Sequence, residues 1–203
     1  VADFHVPLAL GTQTAGSVIR PGSFNGIHAL KPTVGRIPRD GVLMQSHTLD
    51  TVGVFGRSVE DLALITDSLS DFGAANLSRY GARHPDLLSA MKQEAPAPRF
   101  AFLETPAWPE ADAGAREAIE GVVSGLGAQC VRESLPSPFD RIIDFHGAVG
   151  AGEILAYYGH HAETSPDKVS DLLKARLAES RQFDAGDYVV ALLAREPLNE
   201  ALA

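Results

Sequence analysis

Ser17 sits in the stretch GTQTAGSVIRPGSFNG, residues 11–26, which packs four glycines, one proline and a single arginine around it. Glycine-rich backbone costs conformational entropy, so such a run marks a tight turn, a close approach of backbone to a ligand, or a plain loop. Three chemistries compete for it. A phosphate loop spaces its glycines as GTQTAGS does, but follows the second glycine with a lysine that reaches the β- and γ-phosphates. Ser17 occupies that place and Val18 the next, so this reading is weak. A hydrolase elbow needs G-x-S-x-G, and Ile19 stands where its last glycine belongs. The third chemistry is a serine nucleophile served by the backbone N–H groups beside it. Small residues let consecutive N–H groups converge on one point as an anion-binding nest, and such a nest holds the oxyanion of an acyl-transfer intermediate. Thr14, Ala15, Gly16 and Ser17 would then be the donors and Ser17 the attacking oxygen. A tight strand–loop–helix connection without chemistry stays open at this point.

Other residue types invite chemistry of their own. Ser17, His28, His47 and Asp50 supply the members of a Ser-His-Asp triad, and spacing along the chain does not exclude one. Arg20 and Asp50 carry opposite charges and are expected to pair as support for the Ser17 loop, a structural role favoured over direct contact with substrate. Glu153 and His160 stand seven residues apart on one helical face with His161 alongside, but no recognised zinc spacing is present. A solvated helix end accounts for them, and neither a metal nor a cofactor is expected. Cys130 in AQCVRE reads as a buried strand thiol. Phe102 and Trp108, in FLETPAWPEA, follow a strand end, the edge that lines a crevice in open α/β sheets, which makes them a candidate substrate contact.

These side chains need a scaffold, and the 203 residues allow one well-cored domain or two. A composition 45% hydrophobic and 21% charged is that of a globular chain, not a disordered one. The net charge of −9 argues against a direct grip on nucleic acid. No apolar run approaches the ~20 residues of a membrane span, and VADFHVPLAL lacks the basic start of a signal peptide. One cysteine excludes an intrachain disulfide, so a reducing compartment, the cytoplasm, is expected. The first 57 residues read as short strands and turns through VPLAL, GIHAL and VGVFG. SVEDLALITDSLSDF reads as a helix capped by Ser58, with Asp61 closing a capping box and Leu62, Ile65 and Leu69 on one face. RFAFLE and AQCVRE read as strands flanking a helix with Ala115, Ala118, Ile119, Val122 and Leu126 on one side and Gly125 and Gly127 at its end. That order predicts a parallel βαβ unit. From Pro138 onward the chain reads as helical, broken at Pro166 and restarted by a cap at Asp184. The fold class is α/β with a helix-rich C-terminal portion.

LGTQTAGSVIRP, GIHALKPTVGRIPRDGV and SHTLDTVGVFGRSVEDLALI resemble, in that order, the central signature of the amidase signature family of serine amidohydrolases. The resemblance is close over about the first 65 residues and continues loosely to FDAGDY near Tyr188. It implies a mixed twisted β-sheet covered by helices, and a Ser–cis-Ser–Lys triad in which Ser17 is the nucleophile and the amides of Thr14 to Ser17 form the oxyanion hole. Arg20 and Asp50 match an arginine and an aspartate of the family, whereas His28 and His47 replace residues with no catalytic role there. Lys31, in LKPT, matches a structural position. No S-G-G or S-S-G occurs in the chain, so the family's catalytic lysine and second serine are not identified in it. The first residue is not methionine and NEALA ends within a helical pattern, so the chain is expected to be a central-to-C-terminal fragment that does not turn over alone. Its expected layout is a single fragment of an amidase-signature domain: a signature core with the nucleophile loop over 1–72, a surface excursion over 73–98, and the βαβ unit plus C-terminal helices over 99–203. Gly22 and Asn25 depart from the family pattern and read as packing variation. The implied substrate is a small-molecule amide. The alternative is the A subunit of a glutamyl-tRNA amidotransferase, with a partner holding the tRNA. A homodimer or amidotransferase partner subunits are the assemblies the resemblance leaves open, with no direct contact to nucleic acid and none to a membrane.

Overall fold

The computed structural model describes residues 1–70 and 86–202. The chain divides into two compact units, one of residues 1–94 and 156–164 and the other of residues 95–155 and 165–203. The expected excursion over 73–98 lies up to residue 85 outside the described residues. Its described remainder holds one short helix.

The first unit is built on three antiparallel strands, β1 (Ala9–Gln13), β2 (His28–Leu30) and β3 (Thr51–Gly56), in the order β1-β3-β2. The runs GIHAL and VGVFG hold β2 and β3, whereas β1 begins only in the last two residues of VPLAL and runs on to Gln13 in the glycine-rich stretch. The central strand β3 is apolar or small at nearly every position because it is covered on both faces. Register pairs Gln13 with Thr51 and Leu30 with Val54. Between β1 and β2 the chain forms α1 (Ile19–Phe24). After β3 it forms α2 (Val59–Leu69), with Ser58 Oγ accepting from Asp61 N–H at 3.0 Å. The expected capping box closes differently, because the Asp61 carboxylate reaches one residue further back, to Arg57 N–H at 3.2 Å. The short helix is α3 (Leu87–Ala90). Ile37, Val52, Val54 and Leu62 form the core, with Leu30, Val42, Ile65 and Leu69 packed against it. An ion pair of 3.0 Å between Arg36 and Asp67, both mostly buried, ties the loop before β3 to α2.

The second unit contains the expected βαβ order: β4 (Phe100–Leu103), α4 (Ala113–Leu126) and β5 (Cys130–Glu133), with β4 and β5 parallel. Asp112 caps α4 by accepting from Ala115 N–H, and Gly127 closes it with a positive φ of 51°. Four helices follow: α5 (Ile142–Thr164), whose last turns belong to the first unit, α6 (Asp171–Ser180), α7 (Ala185–Leu193) and α8 (Arg195–Glu200). Asp184 caps α7 in a full capping box with Asp187, and Pro166 starts the turn that separates α5 from α6. Ala148, Val149, Ala151, Ile154, Leu177, Ala191 and Leu198 are buried along these helices. The structure is mixed α/β, its antiparallel and parallel pairings lying in two separate small sheets.

Candidate active site

The ladder between β1 and β3 ends at the Gln13–Thr51 pair, and the chain leaves it at Thr14 to enter α1 five residues later. Two polar side chains shape that interval. The Gln13 carboxamide, 7% exposed, closes the loop from within. Its Oε1 accepts from Val18 N–H at 2.9 Å and Ile19 N–H at 3.1 Å, and its Nε2 donates to the Ala15 carbonyl at 2.7 Å. From the other side the Thr14 hydroxyl donates to Asp50 Oδ1 at 2.5 Å. Asp50 Oδ2 accepts from Gln45 N–H at 2.7 Å and Ser46 N–H at 2.9 Å, in a site that leaves Asp50 4% exposed. The Arg39 guanidinium donates to the carbonyls of His47 and Asp50, each at 2.8 Å. Tyr158 donates its hydroxyl to the Met44 carbonyl at 2.9 Å. Burial, and after it the nearby Asp50 charge, holds the Tyr158 phenol above its ordinary pKa.

Val18, wholly buried, anchors the far end of the loop against β3. A Cβ on Gly53 would lie 2.8 Å from both Val18 γ carbons and 2.8 Å from the Leu30 carbonyl, so this seat requires glycine. A similar close fit explains Gly22, where a Cβ would meet Ala29 Cβ at 2.6 Å. Asn25 closes α1 by donating its side-chain amide to the Pro21 carbonyl at 2.8 Å.

The outcome of these anchors is a loop whose backbone N–H groups at Ala15, Gly16 and Ser17 make no hydrogen bond to any described residue. Ser17 is exposed, and its hydroxyl also bonds none of them. The arrangement sets three consecutive donors beside a serine oxygen.

The structure brings Thr14, Ala15, Gly16, Ser17 and Asp50 together but corrects the expected pairing of Arg20 with Asp50. Arg20 is exposed, and both carboxylate oxygens of Asp50 are taken by Thr14 and by the amides of Gln45 and Ser46. The same bonds leave no histidine on Asp50, and His28 and His47 are exposed, so a Ser-His-Asp triad is not assembled among the described residues. Lys31 donates to the neighbouring Pro32 carbonyl at 3.0 Å. Glu153 is buried and accepts from the Tyr188 hydroxyl at 3.1 Å, and His160 and His161 are exposed. Among the described residues no group of three or more His, Cys, Asp or Glu is placed to hold a metal ion. Cys130 is half-buried, not buried, and among the described residues β5 has a strand partner on one side only. Phe102 and Trp108 pack edge to face at 5.4 Å in the second unit. Trp108 lines a shallow cavity of about 440 Å³ with Glu104, Ser134 and Asp140.

Sequence reasoning missed Gln13. The usable signal was a long carboxamide at the last position of a strand, directly before a run of small residues, where an orphaned turn needs both a donor and an acceptor.

The A subunit of glutamyl-tRNA(Gln) amidotransferase from Clostridium botulinum (strain Eklund 17B / Type B) is 34% identical over 187 residues, 87% of this chain and 38% of the relative. The 2-amino-5-chloromuconic acid deaminase of Comamonas testosteroni is 34% identical over 188 residues, 90% of this chain and 38% of the relative. The chain thus spans under two fifths of the length of these curated relatives. In fold it resembles a chain of the vestigial complex connected with the origins of an s-triazine catabolic enzyme, with a TM-score of 0.85 at 24% identity, over 99% of this chain and 44% of that one. The sequence model of the Amidase family matches residues 1–196, the Ser17 loop and the C-terminal helices included, and the chain belongs to that family.

Proposed function

We propose that this chain carries the nucleophile and the oxyanion-binding loop of an enzyme that hydrolyses a carboxylic amide to an acid and ammonia or an amine. The observation that carries the reading is the set of three consecutive N–H groups, at Ala15, Gly16 and Ser17, open beside the exposed Ser17 hydroxyl. Ser17 Oγ attacks the amide carbon and passes its proton to a base. The oxygen turns negative and is received by these N–H groups, with Thr14 as the fourth donor of the family pattern. Donors fixed in advance need no reorganisation as that charge develops. The C–N bond then breaks, the nitrogen leaves with the proton, and water releases the acid from the acyl ester. By family resemblance the base is a neutral lysine acting through a second serine, its pKa lowered by burial or positive neighbours. Neither is identified in these 203 residues, so the isolated chain is expected to show no turnover.

The identity to the amidotransferase A subunit supports a second reading, the same chemistry releasing ammonia to partner subunits that hold the tRNA. The chain's net charge of −9 suits a protein that leaves nucleic acid to a partner. One assay separates the readings: ammonia release from simple aliphatic amides and from glutamine, measured on the protein expressed from its full reading frame. Aliphatic amides as better substrates support the first reading, and glutaminase activity with a co-purifying partner the second. Ser17→Ala is expected to lower kcat on the order of 10⁶-fold, the cost of removing a serine nucleophile in acyl transfer. A variant that keeps its rate would overturn both.

A further inference from the structure

We propose that Gln13 is the positioning residue of the nucleophile loop, its carboxamide setting the direction in which the Gly16 N–H, the middle donor of the three, points; this rests on the reading of Ser17 as nucleophile. The side chain does two opposite things at once. Its oxygen accepts from Val18 and Ile19 N–H, which fixes the start of α1, and its nitrogen donates to the Ala15 carbonyl at 2.7 Å. The Ala15 carbonyl and the Gly16 N–H belong to one planar trans peptide and point in opposite directions. Drawing the Ala15 oxygen inward to Gln13 therefore turns the Gly16 N–H outward, to the side away from Gln13. Gln13 is 7% exposed and its bond with the Val18 N–H is buried, so that bond above all is costly to leave unmade.

A carboxylate in this place would still accept from Val18 and Ile19 but would set oxygen against oxygen at Ala15. Gln13→Glu in the full protein is therefore the discriminating variant. With the introduced carboxyl ionised, kcat is expected to fall about 10²-fold, the effect of misplacing a catalytic group by about 1 Å, with KM changed less than about threefold. As pH falls, that carboxyl takes a proton it can donate to Ala15, so the ratio of variant to wild-type kcat should rise. A ratio near one, or one independent of pH, overturns the proposal. Amide hydrogen exchange on the full protein gives a reading independent of turnover. Protection of Val18 and Ile19 should persist in Gln13→Glu and be lost in Gln13→Met while β3 stays protected; unchanged protection in Gln13→Met also overturns it. Ser17→Ala keeps the two claims apart. An active Ser17→Ala removes the nucleophile reading and this proposal with it, whereas an inactive one beside a wild-type Gln13→Glu removes only the role of Gln13.

Discussion

At the scale of single residues, Asp50 concentrates more of the loop's energetics than its place in the sequence suggests. Its carboxylate accepts from Thr14, Gln45 and Ser46 while almost wholly buried. Asp50→Ala strands the buried Ser46 N–H, the partly buried Gln45 N–H and a hydroxyl, so urea unfolding should show a loss of about 3 kcal/mol. A loss below about 1 kcal/mol would show that water or a shift of the loop replaces those bonds. Ser17 and its small neighbours were legible in the sequence because glycine and hydroxyl residues signal close backbone approach whatever their partners. The partners were not. Arg20 and Asp50 have the right charges to pair, yet the Thr14 hydroxyl, brought opposite by the strand register, takes the carboxylate first. Gln13 was hidden for a related reason: what a carboxamide bonds depends on backbone directions inside a loop that sequence alone does not specify.

At the scale of elements, local chemistry gave reliable marks. Ser58 and Asp184 cap their helices as expected, and Asp112 adds a cap that the sequence reading did not name. Parallel pairing of β4 with β5 followed from strand–helix–strand order. The apolar side of α4 was legible as a pattern, but its burial was not, since Ile119 is 42% and Val122 65% exposed. Periodicity states which residues share a face and is silent on what covers it. The loop depends on an element as well, because β3 offers Val18 a seat only where Gly53 has no side chain. Gly53→Ala is expected to cost about 2 kcal/mol by overpacking and to lower kcat by at least about tenfold by displacing Val18 and the loop. Thermal melts and steady-state kinetics check both, and a destabilised variant with unchanged kcat would detach the loop from this seat.

At the scale of the whole molecule, the first unit draws on two distant parts of the sequence, since residues 156–164 join residues 1–94. Tyr158 belongs to that late segment and gives it a signature in pH. Its folded pKa is raised above the ordinary value, so the folded state holds this proton more tightly than the unfolded one. Its contribution is complete below the unfolded value near 10 and is lost as pH rises through the folded value. Melting temperature should fall upward of about pH 10, and Tyr158→Phe should flatten the decline; an equal slope in both would assign it to other groups. The sequence revealed the first unit's strands and the helical tail, but held no sign that the last turns of α5 would join the N-terminal unit, since no local pattern records a contact at such distance. The bond between Thr14 and Asp50 has a temporal meaning as well. The two stand 36 residues apart, so during synthesis the loop leaves the ribosome before the carboxylate that braces it. Closing so long a segment costs entropy that is recovered only when β3 docks. With Ser17 as nucleophile, a nascent or half-unfolded chain carries only an ordinary serine, and reactivity toward amides arrives with the folded state.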